Sequence, residues 1–261
     1  MSRNINELSV FTTGAKLNPS IIFIHGFPFD HFMWEEQIRK FNENYYCVTY
    51  DVRGLGSSPA GDGQFTLESF VDDLEKLIDN LKLDKPTLCG LSMGGYISLR
   101  AVERMEKKLG GLILCDTKSL ADSDEGKINR ARGIKQINDE GTEKYIEQFI
   151  SNCFADDFKR TRKKEYESIV NRSKKYNAIG VKGCLLAMAG RTDTTHYLQN
   201  ISIPTLVICG EEDKLTPPDV MKSMSDKIKK SRFVTIEGAG HISPVEAPKK
   251  FNEEIEKFLD Q

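Results

Sequence analysis

A series of short apolar, β-rich runs separated by helical patterns constrains this chain more than any other feature. The runs are Ile21 to His25, Tyr45 to Asp51, Thr87 to Leu91, Leu112 to Asp116, Thr205 to Gly210 and Phe233 to Gly238. Such short, nearly unbroken runs suit strands covered on both faces, and their alternation with helices predicts an α/β fold with a mostly parallel central sheet. The stretch after Gln64 shows how the helices read: Phe70, Leu74, Leu77, Ile78 and Leu81 fall on one stripe at helical spacing. Thr66 stands as its N-cap, Glu68 and Asp72 suit the positive end of its dipole, and Pro86 restarts the chain as a strand.

One interval breaks the rhythm. The 83 residues from Lys118 to Asn200 carry only helix-like stretches, among them Ile128 to Ile137, Thr142 to Phe154 and Ala178 to Met188. An ordinary crossover helix needs only about 10 to 15 residues. The expected organisation is therefore a core of residues 1–117 and 201–261, with a helical cap, residues 118–200, inserted between two strands. Its apolar residues Ile134, Ile137, Phe149, Phe154, Leu185, Leu186 and Met188 either pack on the core or roof a pocket. Arg191 and Asp193 read as a structural pair, with Arg191 meeting a substrate carboxylate as the other reading, and the basic run Lys159 to Lys164 reads as a solvated face.

Charge narrows the choice of partners. With 37 Lys and Arg against 39 Asp and Glu, the chain has no basic excess to attract nucleic acid or a membrane surface. The N-terminal residues lack the apolar segment of a signal peptide, and no apolar run approaches the roughly 18 residues of a membrane span, so a cytoplasmic protein is expected. The six cysteines show no C-x-x-C pair and four sit in apolar runs, which points to buried reduced thiols. The balance is uneven along the chain, however. Lys118 to Asn200 holds 16 basic and 12 acidic residues, against 21 and 27 elsewhere, so a basic cap covers an acidic core and favours anionic substrates.

The chemistry concentrates in Gly90-Leu91-Ser92-Met93-Gly94-Gly95, which follows one strand and opens a helix. A strand-turn-helix with G-x-S-x-G is the setting of a nucleophile elbow, where glycines relieve the crowding of a sharp turn and leave the serine hydroxyl open. An isolated hydroxyl is a weak nucleophile and needs a base within hydrogen-bond reach. Of four histidines, His241 lies directly after the last strand, in a loop that reaches the same sheet edge. Gly210 to Pro218 follows another strand and offers Asp213 to orient that imidazole; Asp116, at the end of its own strand, competes for the role. The backbone N–H groups of Phe27, in His25-Gly26-Phe27-Pro28, and of Met93 stand as oxyanion donors, with their side chains lining an acyl pocket. Asp51 to Pro59 mimics a dinucleotide loop, but Pro59 replaces its third glycine.

In that order and spacing HGFP, D-x-R-G-x-G-x-S, GLSMGG, GEEDKLTPP and GAGH resemble the α/β-hydrolase superfamily over essentially the whole chain. GLSMGG, LCDT, AMAGRTD and CGEEDKLTPP are similar to the 3-oxoadipate enol-lactonase branch and related small carboxylesterases. The resemblance implies Ser92, Asp213 and His241 as the triad, Phe27 and Met93 as the oxyanion amides, and hydrolysis of a small ester or lactone with no metal or cofactor. The same triad also serves carbon-carbon hydrolases, perhydrolases, acyltransferases and slow-turnover ligand receptors. The segment before Ile21 reads as too short for the hairpin that usually opens this fold.

Overall fold

The computed structural model describes residues 2–5 and 7–260. Its strands are β1 (Ser2–Ile5), β2 (Leu8–Thr13), β3 (Ser20–Ile24), β4 (Tyr46–Tyr50), β5 (Thr87–Leu91), β6 (Gly111–Cys115), β7 (Thr205–Gly210) and β8 (Ser231–Ile236). They form one sheet in the order β1-β2-β4-β3-β5-β6-β7-β8. From β4 to β8 every neighbouring pair is parallel. All residues of β3, β4, β6 and β7 are buried, which is why their sequences are continuous rather than alternating in apolarity. β8 at the edge is half-buried, and it begins at Ser231, ahead of the apolar run that announces it.

The opening of the sheet corrects the expectation of a missing hairpin. β1 pairs antiparallel with β2, and β2 pairs antiparallel with β4. Two strands of four and six residues, with Glu7 at φ 71° just before the second, fit within the first 13 residues. The alternation was present in Leu8-Ser9-Val10-Phe11-Thr12-Thr13, whose burial switches residue by residue.

Helices α1 (Glu35–Phe41), α2 (Leu67–Leu81) and α3 (Met93–Met105) connect the first strands. Thr66 caps α2 by accepting the Ser69 N–H, and Phe70, Leu74, Leu77, Ile78 and Leu81 are all buried. Between β6 and β7 come α4 (Asp124–Glu140), α5 (Thr142–Ser151), α6 (Asp156–Thr161), α7 (Lys163–Ser173) and α8 (Ala178–Ala189), followed by a 3₁₀ turn at Thr195–Asn200. Helices α9 (Pro218–Ser225), α10 (Ser243–Glu246) and α11 (Pro248–Leu259) complete the chain.

Strand order sets the location of the site. β3 lies between β4 and β5, so the chain leaves β3 towards one side of the sheet and later returns on the other. Loops that diverge from adjacent strand ends leave a crevice at the carboxyl edge, which is where ligands settle in open α/β sheets. His25-Gly26-Phe27 leaves β3 there, and Ser92 follows β5.

Candidate active site

Ser92 occupies a strained backbone position, φ 52° and ψ −110°, between the last residue of β5 and the first of α3. Such a conformation costs a side-chain-bearing residue about 1 to 3 kcal/mol and persists only where the surroundings enforce it. The neighbouring glycines are part of that enforcement. A Cβ on Gly90 would stand 2.3 Å from the Gly94 carbonyl oxygen, and one on Gly94 would stand 2.2 Å from that of Ile24. The Ser92 N–H donates to Cys115 O at 2.9 Å, and the Thr117 hydroxyl donates to Ser92 O at 2.8 Å, so β6 holds the elbow from the other side.

The loop after β8 brings His241 to this serine. Its Nε2 lies 2.9 Å from Ser92 Oγ, and its Nδ1 lies 2.8 Å from Asp213 Oδ2. The ring is 3% exposed. With Nδ1–H donating to a carboxylate, Nε2 is left as the acceptor facing the serine hydroxyl. Asp213 is held in turn by its own loop: Oδ1 accepts the N–H groups of Leu215 and Thr216, and Oδ2 accepts the Thr216 hydroxyl at 2.6 Å. Burial opposes its charge, yet His241 and the Thr216 donors outweigh burial and hold the carboxyl at about 2. The acid therefore remains ionised beside the imidazole at neutral pH.

Asp116, the competing acid, faces elsewhere. Its Oδ1 accepts the Gly210 N–H at 2.7 Å and its Oδ2 accepts the Ser243 hydroxyl at 2.5 Å. Burial, then the Asp213 charge, push its carboxyl well above the usual range. Together with Cys209 these two acids form a buried group whose ligand atoms lie within 4.8 Å of one another. That donor set suits a cation poorly, because Asp213 is committed to His241 and Thr216 while burial favours the protonated forms of Asp116 and of the Cys209 thiol.

On the other wall, the turn after β3 presses against the elbow. A Cβ on Gly26 would lie 2.7 Å from the Leu91 side chain and 3.2 Å from Ser92 Cβ, so the Gly26-Phe27 backbone runs beside Ser92. His25, legible in sequence only as the end of a strand, organises that turn. Its Nε2 accepts the Val52 N–H at 2.8 Å, which leaves Nδ1–H to donate to Gly26 O at 2.9 Å. Burial lowers its basicity and keeps the ring neutral for both roles.

Ser92 and His241 open into a cavity of about 390 Å³, lined further by Phe27, Tyr96, Tyr145, Phe149 and Met188. Phe149 meets the Phe27 ring edge-on at 5.1 Å, which places α5 over the turn after β3. Of the other apolar residues expected to pack or roof, Ile137, Phe154 and Leu185 are buried in the core, Ile134 packs partly against it and Leu186 is exposed. Met93 departs from expectation: as the first residue of α3 its side chain is fully buried and does not line the cavity.

Two further expectations are corrected. Arg191 does not pair with Asp193, whose carboxylate instead accepts the Thr195 N–H. Arg191 is 5% exposed and turns inward: its Nη1 lies 2.9 Å from Asp122 Oδ1, it donates to Met188 O and Leu120 O, and its guanidinium covers the Tyr96 ring at 4.1 Å. A cation this deeply buried needs several acceptors, and these contacts serve both terminal nitrogens while Nε is left without one. Within the basic run Arg160, Lys163 and Lys164 are exposed, but Arg162 is half-buried and donates to Val245 O and Glu246 O.

Asp122 is a carboxylate at the cavity wall, and three cations surround it. Besides Arg191, Arg130 Nε lies at 3.1 Å and Lys118 Nζ at 3.9 Å. Lys118 and Arg130 both line the cavity that holds Ser92. Their recruitment is not marked in the sequence because it depends on how α4 packs against α8 and α5.

A parallel sheet with a serine elbow, a histidine after its last strand and a carboxylate between them defines a class. A family model described as the alpha/beta hydrolase fold matches residues 19–248, and the chain belongs to that family. A thermophilic esterase from Thermogutta terrifontis, in a malate-bound structure, is 33% identical with a TM-score of 0.94, covering 100% of this chain and 98% of that one. 3-Oxoadipate enol-lactonase 2 of Acinetobacter baylyi is 28% identical over 252 residues, 97% of this chain and 92% of the relative. A putative non-heme chloroperoxidase of Synechocystis is 28% identical over 250 residues, 91% and 90% of the two chains. No helix among the described residues is long and apolar enough to cross a membrane.

Proposed function

We propose that the protein is a serine hydrolase that cleaves a small-molecule carboxylic ester or lactone through an acyl-enzyme on Ser92. The observation that carries this reading is the continuous relay from Ser92 Oγ to His241 Nε2 at 2.9 Å and from His241 Nδ1 to Asp213 at 2.8 Å. In the first step Ser92 Oγ attacks the carbonyl carbon as His241 takes its proton, while Asp213 stabilises the imidazolium. The Phe27 and Met93 amides bind the oxyanion, and His241 protonates the departing alkoxide. Water then enters, His241 takes one of its protons, and collapse of the second tetrahedral adduct frees the acid and Ser92.

The names of similar proteins, an esterase and an enol-lactonase, support ester or lactone substrates. Residues 118–200 act in this reading as a cap whose helices select the substrate. Lys118 and Arg130 give that cap its preference: the cations around Asp122 exceed its single charge, so the wall suits a substrate with a carboxylate. Six free, buried cysteines fit work in a reducing cytoplasm.

The test is turnover of a short-chain p-nitrophenyl ester by wild type and Ser92→Ala. Loss of turnover with an unchanged circular dichroism spectrum and melting temperature supports the reading; retained turnover overturns it. Product masses with water, peroxide or an alcohol as acceptor separate hydrolysis from perhydrolysis and acyl transfer.

A further inference from the structure

Three consecutive peptide N–H groups carry the His241 loop, and none of them is held by the sheet. Those of Gly240 and Ile242, on either side of the histidine, both donate to Glu246 Oε1, at 3.0 and 3.1 Å. The N–H of His241 itself crosses to Cys153 O at 2.8 Å, in the link between α5 and α6. The second oxygen of Glu246 reaches the same link and accepts the Ala155 N–H at 2.8 Å. Gly240 is required by this approach, since a Cβ there would stand 2.6 Å from Ala155 N and 3.1 Å from Cys153 O. Arg162 adds a further tie by donating to Val245 O and Glu246 O at the end of α10.

We propose that Glu246 is a positioning residue for His241, locking the histidine loop in register with residues 153–155 so that the reach from Nε2 to Ser92 depends on the seating of the helical region. The proposal rests on the serine-hydrolase reading. A carboxylate suits the task because its two oxygens accept three N–H donors at once, and no neutral side chain of its length matches that capacity. Burial works against its charge and pushes the carboxyl up, and the three N–H donors oppose that push. Without them the loop slides, and a displacement of about 1 Å at a general base costs on the order of 100-fold in rate.

The experiment compares wild type, Glu246→Ala and Glu246→Gln for kcat and KM on a short neutral p-nitrophenyl ester, and for the rate at which a fluorophosphonate labels Ser92. In Glu246→Ala, kcat and the labelling rate both fall about 100-fold while KM stays within about twofold. Glu246→Gln retains an acceptor for Gly240 and Ile242 but turns an amide donor towards Ala155, and it recovers to within about tenfold of wild type. If Glu246→Ala does not fold, Glu246→Gln decides, with kcat and labelling each reduced at least threefold. A folded Glu246→Ala with both rates within twofold of wild type overturns the proposal, as does a rise in KM with kcat unchanged; if Glu246→Gln must decide, rates within twofold overturn it as well. Failure of wild type itself to label at Ser92 overturns the serine-hydrolase reading instead.

Discussion

Two buried carboxylates beside the cavity, Asp213 and Asp122, are satisfied in opposite ways. Asp213 belongs to the strand-end region, and apart from His241 its partners are Leu215 and Thr216 of its own loop. Asp122 belongs to the helical region; Lys118 and Arg130 approach it from nearby in the chain, and Arg191 reaches it from 69 residues further on. One site is built from local turns at strand ends and balances one carboxylate against one imidazole. The other is assembled by tertiary packing and leaves positive charge in excess. On the proposed reading the strand-end region serves chemistry, which needs fixed geometry, and the helical region serves recognition, which needs a surface of the right sign.

The comparison breaks most visibly at Asp213. Asp213→Asn removes the charge that supports the imidazolium and favours the wrong tautomer, so kcat falls about 10⁴-fold with the fold intact, as steady-state kinetics will show. Asp122→Asn acts on stability instead. It leaves Arg191 buried against a neutral partner and lowers the unfolding free energy by about 3 kcal/mol in urea titrations. The mutant retains turnover of a neutral ester.

Acid sharpens the contrast. The folded Asp213 carboxyl, at about 2, lies below its unfolded value near 4, so its contribution is complete above about pH 4 and is lost as pH falls towards 2. That contribution is roughly 2 kcal/mol, and Asp213→Asn flattens the corresponding part of the acid unfolding curve. The smallest effect is expected at the wall. Lys118→Gln or Arg130→Gln raises KM about tenfold for a carboxylate-bearing ester and leaves a neutral one unchanged. Added salt lowers kcat/KM for the anionic ester in wild type, less so in the variants.

The legibility of the two regions in sequence differs for the same reason. Ser92 stood out because a strained turn demands glycines at fixed offsets, and His241 because few histidines follow a strand. Glu246 carried no such signal: its value lies in meeting Ala155, 91 residues away along the chain. Arg191 misled for a related reason, since proximity to Asp193 in sequence said nothing of the inward turn that gives it Asp122. The N-terminal hairpin was legible in the alternation from Leu8 to Thr13, and only the shortness of the segment argued against it.

The sequence by itself determined the α/β class, six of the eight strands and the residues of the Ser92, His241 and Asp213 relay. These follow from patterns of a few residues, where backbone sterics and burial on both faces leave little choice. The tertiary structure alone decided that Asp116 is held by Gly210 and Ser243, that Arg191 meets Asp122, and that residues 153–155 hold the histidine loop. Those are contacts between segments far apart in the chain, chosen by how the helices dock on the sheet, and docking depends on shape and charge summed over many residues rather than on any local pattern.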